Sequence, residues 1–331
     1  MIYRGITFAL VTRRWIIGLL AIFPILSACA QAQSASSGQL PESITDWQST
    51  LYRDHSLVGS VWHTHSKRFV SVAELMGALE SSRFALLGEK HDNPDHHRLQ
   101  QNILRYLIAS GQVGSVSFEM MDSDFDDRLS SLEDQQFESL VQLREYLQWD
   151  DEGWDWSFYG PLVAGTQAAG IDVRSANISR AQVSEVYAQP LDPAIANVMD
   201  QPALEQLNVE IDESHCNMLP ASQFPAMVRV QQARDHAMAS SLAAADSPDQ
   251  INVLIAGNYH VRQDLGAPNY LLALRPDVQR DDVVSLAILE VSPESEEPID
   301  YLQAYSELMP FDFVWFTPAI SDEDYCASLA K

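Results

Sequence analysis

The chain has 331 residues, of which 46 are acidic and 20 are basic, and its formal net charge is −26. Hydrophobic residues make up 46% of the sequence, which excludes wholesale disorder and allows a sizeable buried core. Non-specific nucleic-acid binding is excluded as well, because it depends on clustered lysine and arginine side chains that this acidic chain lacks.

The first residues have the pattern of a bacterial export signal. Three arginines precede an apolar run over residues 15–26, which is shorter than the roughly 20 residues that a membrane-spanning helix needs. The run ends in Leu26-Ser27-Ala28-Cys29, which matches the motif at which lipoproteins are cut and lipidated. An ordinary secretory signal cut nearby is the alternative. We predict a signal peptide over residues 1–28, followed by a lipidated Cys29 and a flexible tether over residues 29–43.

The predicted location is the bacterial outer membrane, facing the periplasm, with the lipid as the sole attachment to the membrane. Ala30 follows the lipidated cysteine, where an aspartate would favour inner-membrane retention in enterobacterial lipoproteins. Cys216 and Cys326 can pair in an oxidising compartment. Their spacing in the sequence does not decide whether they meet, so the pairing stays open at this point.

In residues 44–331, short apolar runs alternate with amphipathic segments. This pattern predicts one α/β domain with a mainly parallel sheet flanked by helices. Asn93 and Pro94 are typical of a helix start. Helical insertions are predicted at about residues 122–160, as a cap over the carboxyl-end edge of the sheet, and at about 195–245. Strands are predicted at residues 84–87, 113–120, 171–176, 251–256 and 283–291, with an edge strand at 311–316.

Four of these predicted strands end in unusual polar residues. Because the carboxyl ends of parallel strands meet at one edge of a sheet, we expect these side chains to converge on one cleft. Imidazole and carboxylate groups suit a divalent metal and suit general acid–base catalysis equally well. A buried network that only satisfies backbone groups is a further interpretation. The residues concerned are Glu89, His91, Glu119, Asn177, Asn258 and His260.

Two of these segments resemble the ChaN-like haem-binding uptake lipoproteins. This family is a branch of the Tiki superfamily, which also includes erythromycin-esterase-like enzymes. The segments are Gly88-Glu89-Lys90-His91-Asp92-Asn93 and Ala256-Gly257-Asn258-Tyr259-His260-Val261. The resemblance extends from about residue 84 to 291, with further matching pieces at 154–161, 176–180, 214–220, 231–239 and 266–268.

The resemblance implies a lipid-anchored protein that binds ferric haem through a tyrosine phenolate and takes part in haem or iron uptake. It also implies a homodimer around paired haems, and outer-membrane uptake components as partners. Tyr159 and Tyr259 are the candidate iron ligands, although the family more often has glycine at the position of Tyr259. Candidates for propionate contacts are His215, Arg180 and Arg234.

The alternative function is a hydrolase of the esterase or peptidase type that uses the same cleft. A divalent metal or His91 would activate water, with Glu119 orienting it. In the metal-dependent form the ligands would be Glu89, His91, Glu119 and His260. A scaffold with a vestigial cleft is the third option. We expect binding rather than catalysis to be the main activity.

Overall fold

A central mixed sheet organises the fold. The computed structural model describes residues 40–41, 44–245, 249–323 and 326, so the predicted signal peptide and Cys29 lie outside the described residues. The strands are β1 (Val61–His63), β2 (Arg68–Val70), β3 (Phe84–Glu89), β4 (Val113–Asp122), β5 (Asp172–Asn177), β6 (Ile251–Gly257), β7 (Val283–Glu290) and β8 (Phe313–Thr317). Their order across the sheet is β2-β1-β8-β7-β3-β6-β4-β5.

The α/β class and the flanking helices are confirmed, but the sheet is mixed where a mainly parallel one was expected. The strands from β8 to β5 in this order pair in parallel, whereas β1 runs antiparallel to both β2 and β8. The β1–β2 hairpin was not predicted, because each of its strands has three residues, too few for an alternating pattern. The strand expected at the edge, residues 311–316, is β8 and lies inside the sheet because β1 covers its other side.

Helices cover both faces of this sheet. They are α1 (Val72–Glu80), α2 (Pro94–Ala109), α3 (Asp126–Leu129), α4 (Leu140–Leu147), α5 (Trp156–Ala168), α6 (Arg180–Ala188), α7 (Pro193–Ala196), α8 (Gln201–Ser214), α9 (Phe224–Ala245) and α10 (Ala267–Leu274). The predicted start of α2 is confirmed, since the Asn93 side chain accepts a hydrogen bond from the Asp95 N–H and Pro94 occupies the first turn. Among the helices described, none combines the length and the hydropathy of a membrane span.

Two apolar cores lie on opposite faces of β3 and β6, which explains why both strands read as continuous apolar runs. Ala85 and Leu87 of β3 belong to the core that α2 and α5 cover, whereas Phe84 and Leu86 belong to the core that α9 and α10 cover. Successive side chains of a strand point to opposite faces, and here both faces are buried. The two strands therefore form a rigid platform for the polar residues at their carboxyl ends.

A disulfide bond joins Cys216, just after α8, to Cys326, with the two Cα atoms 5.2 Å apart. The pairing that the sequence left open is therefore made. Cys216 and Asn217 both adopt positive φ angles, of 60° and 55°, where the chain leaves α8. The bond ties the end of α8 to a residue near the carboxyl terminus of the sequence.

Candidate ligand-binding site at the carboxyl edge of the sheet

The site begins where β3 and β6 end side by side, with Glu89 paired in register with Gly257. Just beyond β6, the Asn258 side chain donates to the Ile288 carbonyl at 2.8 Å and accepts from the Ile288 N–H at 3.2 Å. A Cβ at Gly88 would lie 2.4 Å from Asn258 Oδ1, so this close approach requires glycine at position 88. The two hydrogen bonds of the Asn258 side chain therefore link the end of β6 to β7.

Glu89, His91 and Tyr159 form the first polar cluster at this edge. The His91 Nδ1 atom lies 2.5 Å from Glu89 Oε1, and the Tyr159 hydroxyl donates to the same oxygen at 3.1 Å. Burial opposes the charge on His91, but the hydrogen bond and the charge of Glu89 outweigh it and raise the pKa of the imidazole. Burial, together with the neighbouring Glu89 charge, raises the pKa of Tyr159 far above its usual range. The phenol is therefore neutral and acts as a donor.

The His91 ring is the accessible member of this cluster, with 44% of its side chain exposed. Trp154, from the segment predicted to cap the sheet edge, packs edge-on against it with ring centroids 4.7 Å apart. A Cβ at Gly257 would lie 2.9 Å from His91 Cε1 and 3.1 Å from Nε2. The imidazole thus lies directly against the bare backbone of Gly257.

Glu119, His260 and Asp235 form a second, fully buried cluster. His260 Nδ1 lies 2.6 Å from Asp235 Oδ1, and His260 Nε2 lies 3.4 Å from Glu119 Oε1. Burial opposes the positive charge of His260, but the carboxylates of Glu119 and Asp235 outweigh it and raise the pKa of His260 to about 10. Burial likewise opposes the charge of Glu119, yet His260, His91 and the Gly257 N–H lower its pKa to about 2. Glu119 and His260 are therefore ionised at neutral pH, whereas burial raises the pKa of Asp235.

The structure brings together four of the six predicted strand-end residues, in two clusters that meet around Gly257. A Cβ at Gly257 would lie 3.6 Å from Glu119 Oε2 as well as 2.9 Å from the His91 ring. Asn177 has a different role, because its side chain donates to the Glu119 carbonyl at 2.9 Å and links β5 to β4. Asn177 and Asn258 position backbone. Glu89, His91 and His260 form the polar wall of the site, and Glu119 lies behind it against His260.

An open cavity of about 550 Å³ adjoins this polar wall and lies between the ends of β6 and β7 and helix α8. Tyr259, which is 51% exposed, lines it, whereas Tyr159 is 1% exposed and does not contribute to the lining. His91 and His260 reach the same cavity. Its apolar lining consists of Leu207, Ile211, Leu265, Ile288, Leu289, Leu302 and Phe311.

The cations that line the cavity are not the ones predicted from the sequence. His215, Arg180 and Arg234 are absent from the described lining, whereas Lys90 and Arg262 belong to it. Lys90 lies between Glu89 and His91, and Arg262 lies two residues after His260. Their proximity in the sequence to predicted site residues was the signal that could have identified them.

Both cavity cations are paired with acids. The Lys90 ammonium lies 2.9 Å from Asp92 and 3.1 Å from Glu290. Arg262 is buried and lies 3.0 Å from Glu210 and 2.7 Å from Asp264. Neither cation therefore offers an uncompensated positive charge to a ligand.

The four residues of the predicted metal set are engaged with one another. Among the described residues, no group of three or more histidine, cysteine, aspartate or glutamate side chains could hold a metal ion. Both nitrogens of His260 face carboxylates, and Glu119 Oε2 accepts the Gly257 N–H at 2.7 Å. The described residues therefore give no support to the metal-dependent form of the hydrolase.

Together, the fold and the site define an α/β protein with a ligand cavity at the carboxyl edge of its sheet, the position where ligands bind in such folds. The chain belongs to the family described as haem-binding uptake, Tiki superfamily, ChaN, which its sequence matches over residues 75–271. The resemblance stated from the two glycine-containing motifs is confirmed. No curated protein gives a significant match to the chain.

Comparison with solved structures agrees with this fold. The structure described as "Cofacial heme binding to ChaN of Campylobacter jejuni" has a TM-score of 0.63 and 23% identity, and the match covers 77% of this chain and 95% of that one. An erythromycin esterase mutant in its open conformation has a TM-score of 0.42 and 12% identity, with coverage of 77% and 95%. A toxin effector domain from Vibrio vulnificus has a TM-score of 0.39 and 12% identity, with coverage of 70% and 38%.

Proposed function

We propose that this chain binds ferric haem in the 550 Å³ cavity and serves haem or iron uptake, with Tyr259 as the iron ligand. The observation that carries the proposal is a half-exposed tyrosine beside an open and largely apolar cavity, although the family more often has glycine at this position. The volume lies within the roughly 300–1,000 Å³ range of cofactor pockets. When bound, haem supplies a ferric iron, for which phenolate is an established axial ligand.

Tyr259 fits the ligand role better than Tyr159 does. A ligand must reach the cavity, and Tyr259 is 51% exposed there, whereas Tyr159 is 1% exposed and donates its proton to Glu89. Burial raises the pKa of Tyr259, and nearby acids raise it further, while Arg262 opposes this shift. The net shift is upward, so the free side chain is a neutral phenol, and binding to ferric iron would have to displace its proton.

Hydrophobic burial has to supply most of the affinity for haem. Haem carries two propionates, and the charges of Lys90 and Arg262 are already compensated by carboxylates. The net charge of −26 does not attract an anionic ligand. The apolar lining contributed by α8 and β7 provides the favourable term.

We also propose that the protein is a lipoprotein anchored through Cys29 to the outer membrane, facing the periplasm. The Leu26-Ser27-Ala28-Cys29 motif supports this location. The Cys216–Cys326 disulfide is typical of an oxidising compartment, which supports it independently. A homodimer around paired haems and contacts with outer-membrane uptake components complete the proposal.

The test is a titration of the purified chain with ferric haem, followed by absorbance. We expect saturable binding with a phenolate charge-transfer band. Tyr259→Phe is expected to remove this band, whereas the matched variant Tyr159→Phe is expected to keep it. Absence of saturable binding would refute haem carriage, and loss of the band only in Tyr159→Phe would refute the choice of ligand.

The second candidate function, a metal-independent hydrolase, is favoured by one specific observation. Glu89 holds His91 through Nδ1, and His91 lines the cavity, so Nε2 is the ring nitrogen that could take a proton from water. Glu119, predicted to orient that water, is instead bound to Gly257 and His260. Turnover of an ester or peptide panel that is abolished in both His91→Ala and Glu89→Gln would establish this activity.

A further inference from the structure

We infer that Arg262 is the positioning residue of the cavity: its buried guanidinium ties helix α8 and residues 301–303 to the segment that follows β6, and so holds the cavity walls in place. The consequence for ligand affinity rests on the proposed haem binding. The contacts themselves do not depend on that proposal, and they are testable without a ligand.

Asp264 orients the guanidinium of Arg262. Arg262 Nε donates to Asp264 Oδ1 at 2.8 Å, and Nη2 donates to Oδ2 at 2.7 Å. Such a two-pronged contact fixes both the position and the plane of the group. Asp264 lies two residues after Arg262, so this pair stays within the segment that follows β6. The third nitrogen, Nη1, is then free to bind another element.

Nη1 binds helix α8. It lies 3.0 Å from Glu210 Oε1 and 3.2 Å from Oε2, and Arg262 and Glu210 are 4% and 3% exposed. Leu207 and Ile211, which flank Glu210 on α8, belong to the apolar lining of the cavity. The buried ion pair therefore acts on the part of α8 that forms the cavity wall.

The same guanidinium contacts a third wall. Nη2 also donates to the Gln303 carbonyl at 3.5 Å, and residues 301–303 line the cavity. Because the cavity separates α8 from the ends of β6 and β7, side chains cannot pack across that space to hold the walls. A buried group with several donors in a rigid fork meets this need, and lysine does not offer such a fork.

The charges of this ion pair also act on Tyr259, the proposed iron ligand. The Arg262 N–H donates to the Tyr259 carbonyl at 3.4 Å, so the two residues lie on one turn of the chain. After burial, Glu210 is the largest cause of the raised pKa of the Tyr259 phenol, and Arg262 opposes it. Removal of the Glu210 carboxylate is therefore expected to lower the pKa of Tyr259, a change that a purely structural contact would not predict.

The experiment compares the full chain with Glu210→Ala, which cuts the α8 contact and leaves the Arg262–Asp264 pair intact. Hydrogen exchange of the ligand-free proteins is expected to become about tenfold faster in α8 and to stay unchanged in α2. The matched control is Glu205→Ala, an exposed acid on the same helix, for which no change is expected. An ultraviolet titration, with Tyr259→Phe as its reference, reports the pKa of Tyr259.

Two further variants separate the ion pair from a general disturbance of the fold. Arg262→Lys keeps the charge but loses the fork, so exchange in α8 is expected to rise. Glu210→Gln keeps an oxygen that accepts from Nη1, so a smaller rise than in Glu210→Ala is expected; it also carries the test if Glu210→Ala does not fold. The inference is overturned if these variants leave α8 exchange unchanged, or if exchange in α2 rises as much as in α8.

Titration with ferric haem connects the ion pair to the proposed function. If the intact wall is the binding-competent state and Glu210→Ala populates it about one tenth of the time, haem binds about tenfold more weakly. Unchanged haem affinity despite faster exchange in α8 would overturn the role in ligand binding. If the parent chain binds no haem, the proposed function fails, whereas the exchange data still decide whether Arg262 holds α8.

Discussion

Replacing Glu119 by glutamine tests whether the buried cluster is ionised and stabilising. Glu119 is 2% exposed, and its Oε1 lies 3.4 Å from His260 Nε2. Glutamine keeps the shape of the side chain and an oxygen that can accept the Gly257 N–H. The substitution therefore removes the charge with little change in packing.

The expected loss follows from the distance between the charges. Two unit charges separated by 3.4 Å attract by about 5 kcal/mol at an effective dielectric constant of about 20. Part of this is regained because a buried carboxylate no longer has to be desolvated, and Asp235 still pairs with His260. Removing one partner of a buried ion pair typically costs about 3–5 kcal/mol, so we expect the lower end, about 3 kcal/mol.

Thermal and denaturant unfolding of the Glu119→Gln variant measure this loss. A change of about 3 kcal/mol corresponds to a fall in Tm of roughly 4–5 °C for a chain of this size. The matched control is Glu145→Gln, an exposed acid on α4. A second readout is the pKa of His260, which is expected to fall below its value of about 10, because one of its two carboxylates is gone. Equal stability of variant and control, or an unchanged His260 pKa, would refute the reasoning.

Three further predictions concern the framework of the site. Gly88→Ala places a Cβ 2.4 Å from Asn258 Oδ1, so the free energy of unfolding is expected to fall by about 1–3 kcal/mol in denaturant titrations. The control is Gly165→Ala in α5, where an added Cβ would meet nothing within 4 Å. This control is expected to be neutral or slightly stabilising. Reduction of Cys216–Cys326 is expected to lower the unfolding free energy by about 2–5 kcal/mol, and melting of the Cys216→Ser, Cys326→Ser double variant to become insensitive to reductant. Burial holds the pKa of His96 well below its usual value, so this residue takes up a proton more readily in the unfolded chain as the pH falls below about 6.5. The free energy of unfolding is then expected to fall by up to about 1.4 kcal/mol per pH unit. His96→Gln is expected to reduce this slope, measured by denaturant titrations at several pH values.

The central part of the fold was predictable because its residues obey simple local rules. The strands β3, β6 and β7 are short, largely apolar runs that end at polar residues or glycine, and Asn93 with Pro94 marks the start of α2. The β1–β2 hairpin lacks such a signal. It forms because β8 offers a free edge for β1, a long-range pairing that no local pattern encodes.

The site was predictable in its polar part but not in its cavity. The rule that parallel strands end at one edge brought Glu89, His91, Glu119 and His260 together without reference to any structure. Asp235, the partner of His260, was missed because α9 delivers it from a distant part of the chain. The cavity was missed for the same reason, since its wall comes from α8, β7 and residues 301–311.

The geometry of the polar wall is consistent with the proposal that binding is the main activity. Glu119 and His260 are 2% and 7% exposed, and their polar atoms are engaged with each other, with Asp235 and with the Gly257 backbone. Of the two histidines that line the cavity, only His91 has a ring nitrogen, Nε2, without a hydrogen-bond partner among the described residues. Hydrolysis would therefore depend on the Glu89–His91 pair alone, whereas ligand binding uses the whole apolar wall opposite it. Haem bound in this cavity would cover His91, so haem is expected to inhibit any hydrolysis that the cavity supports.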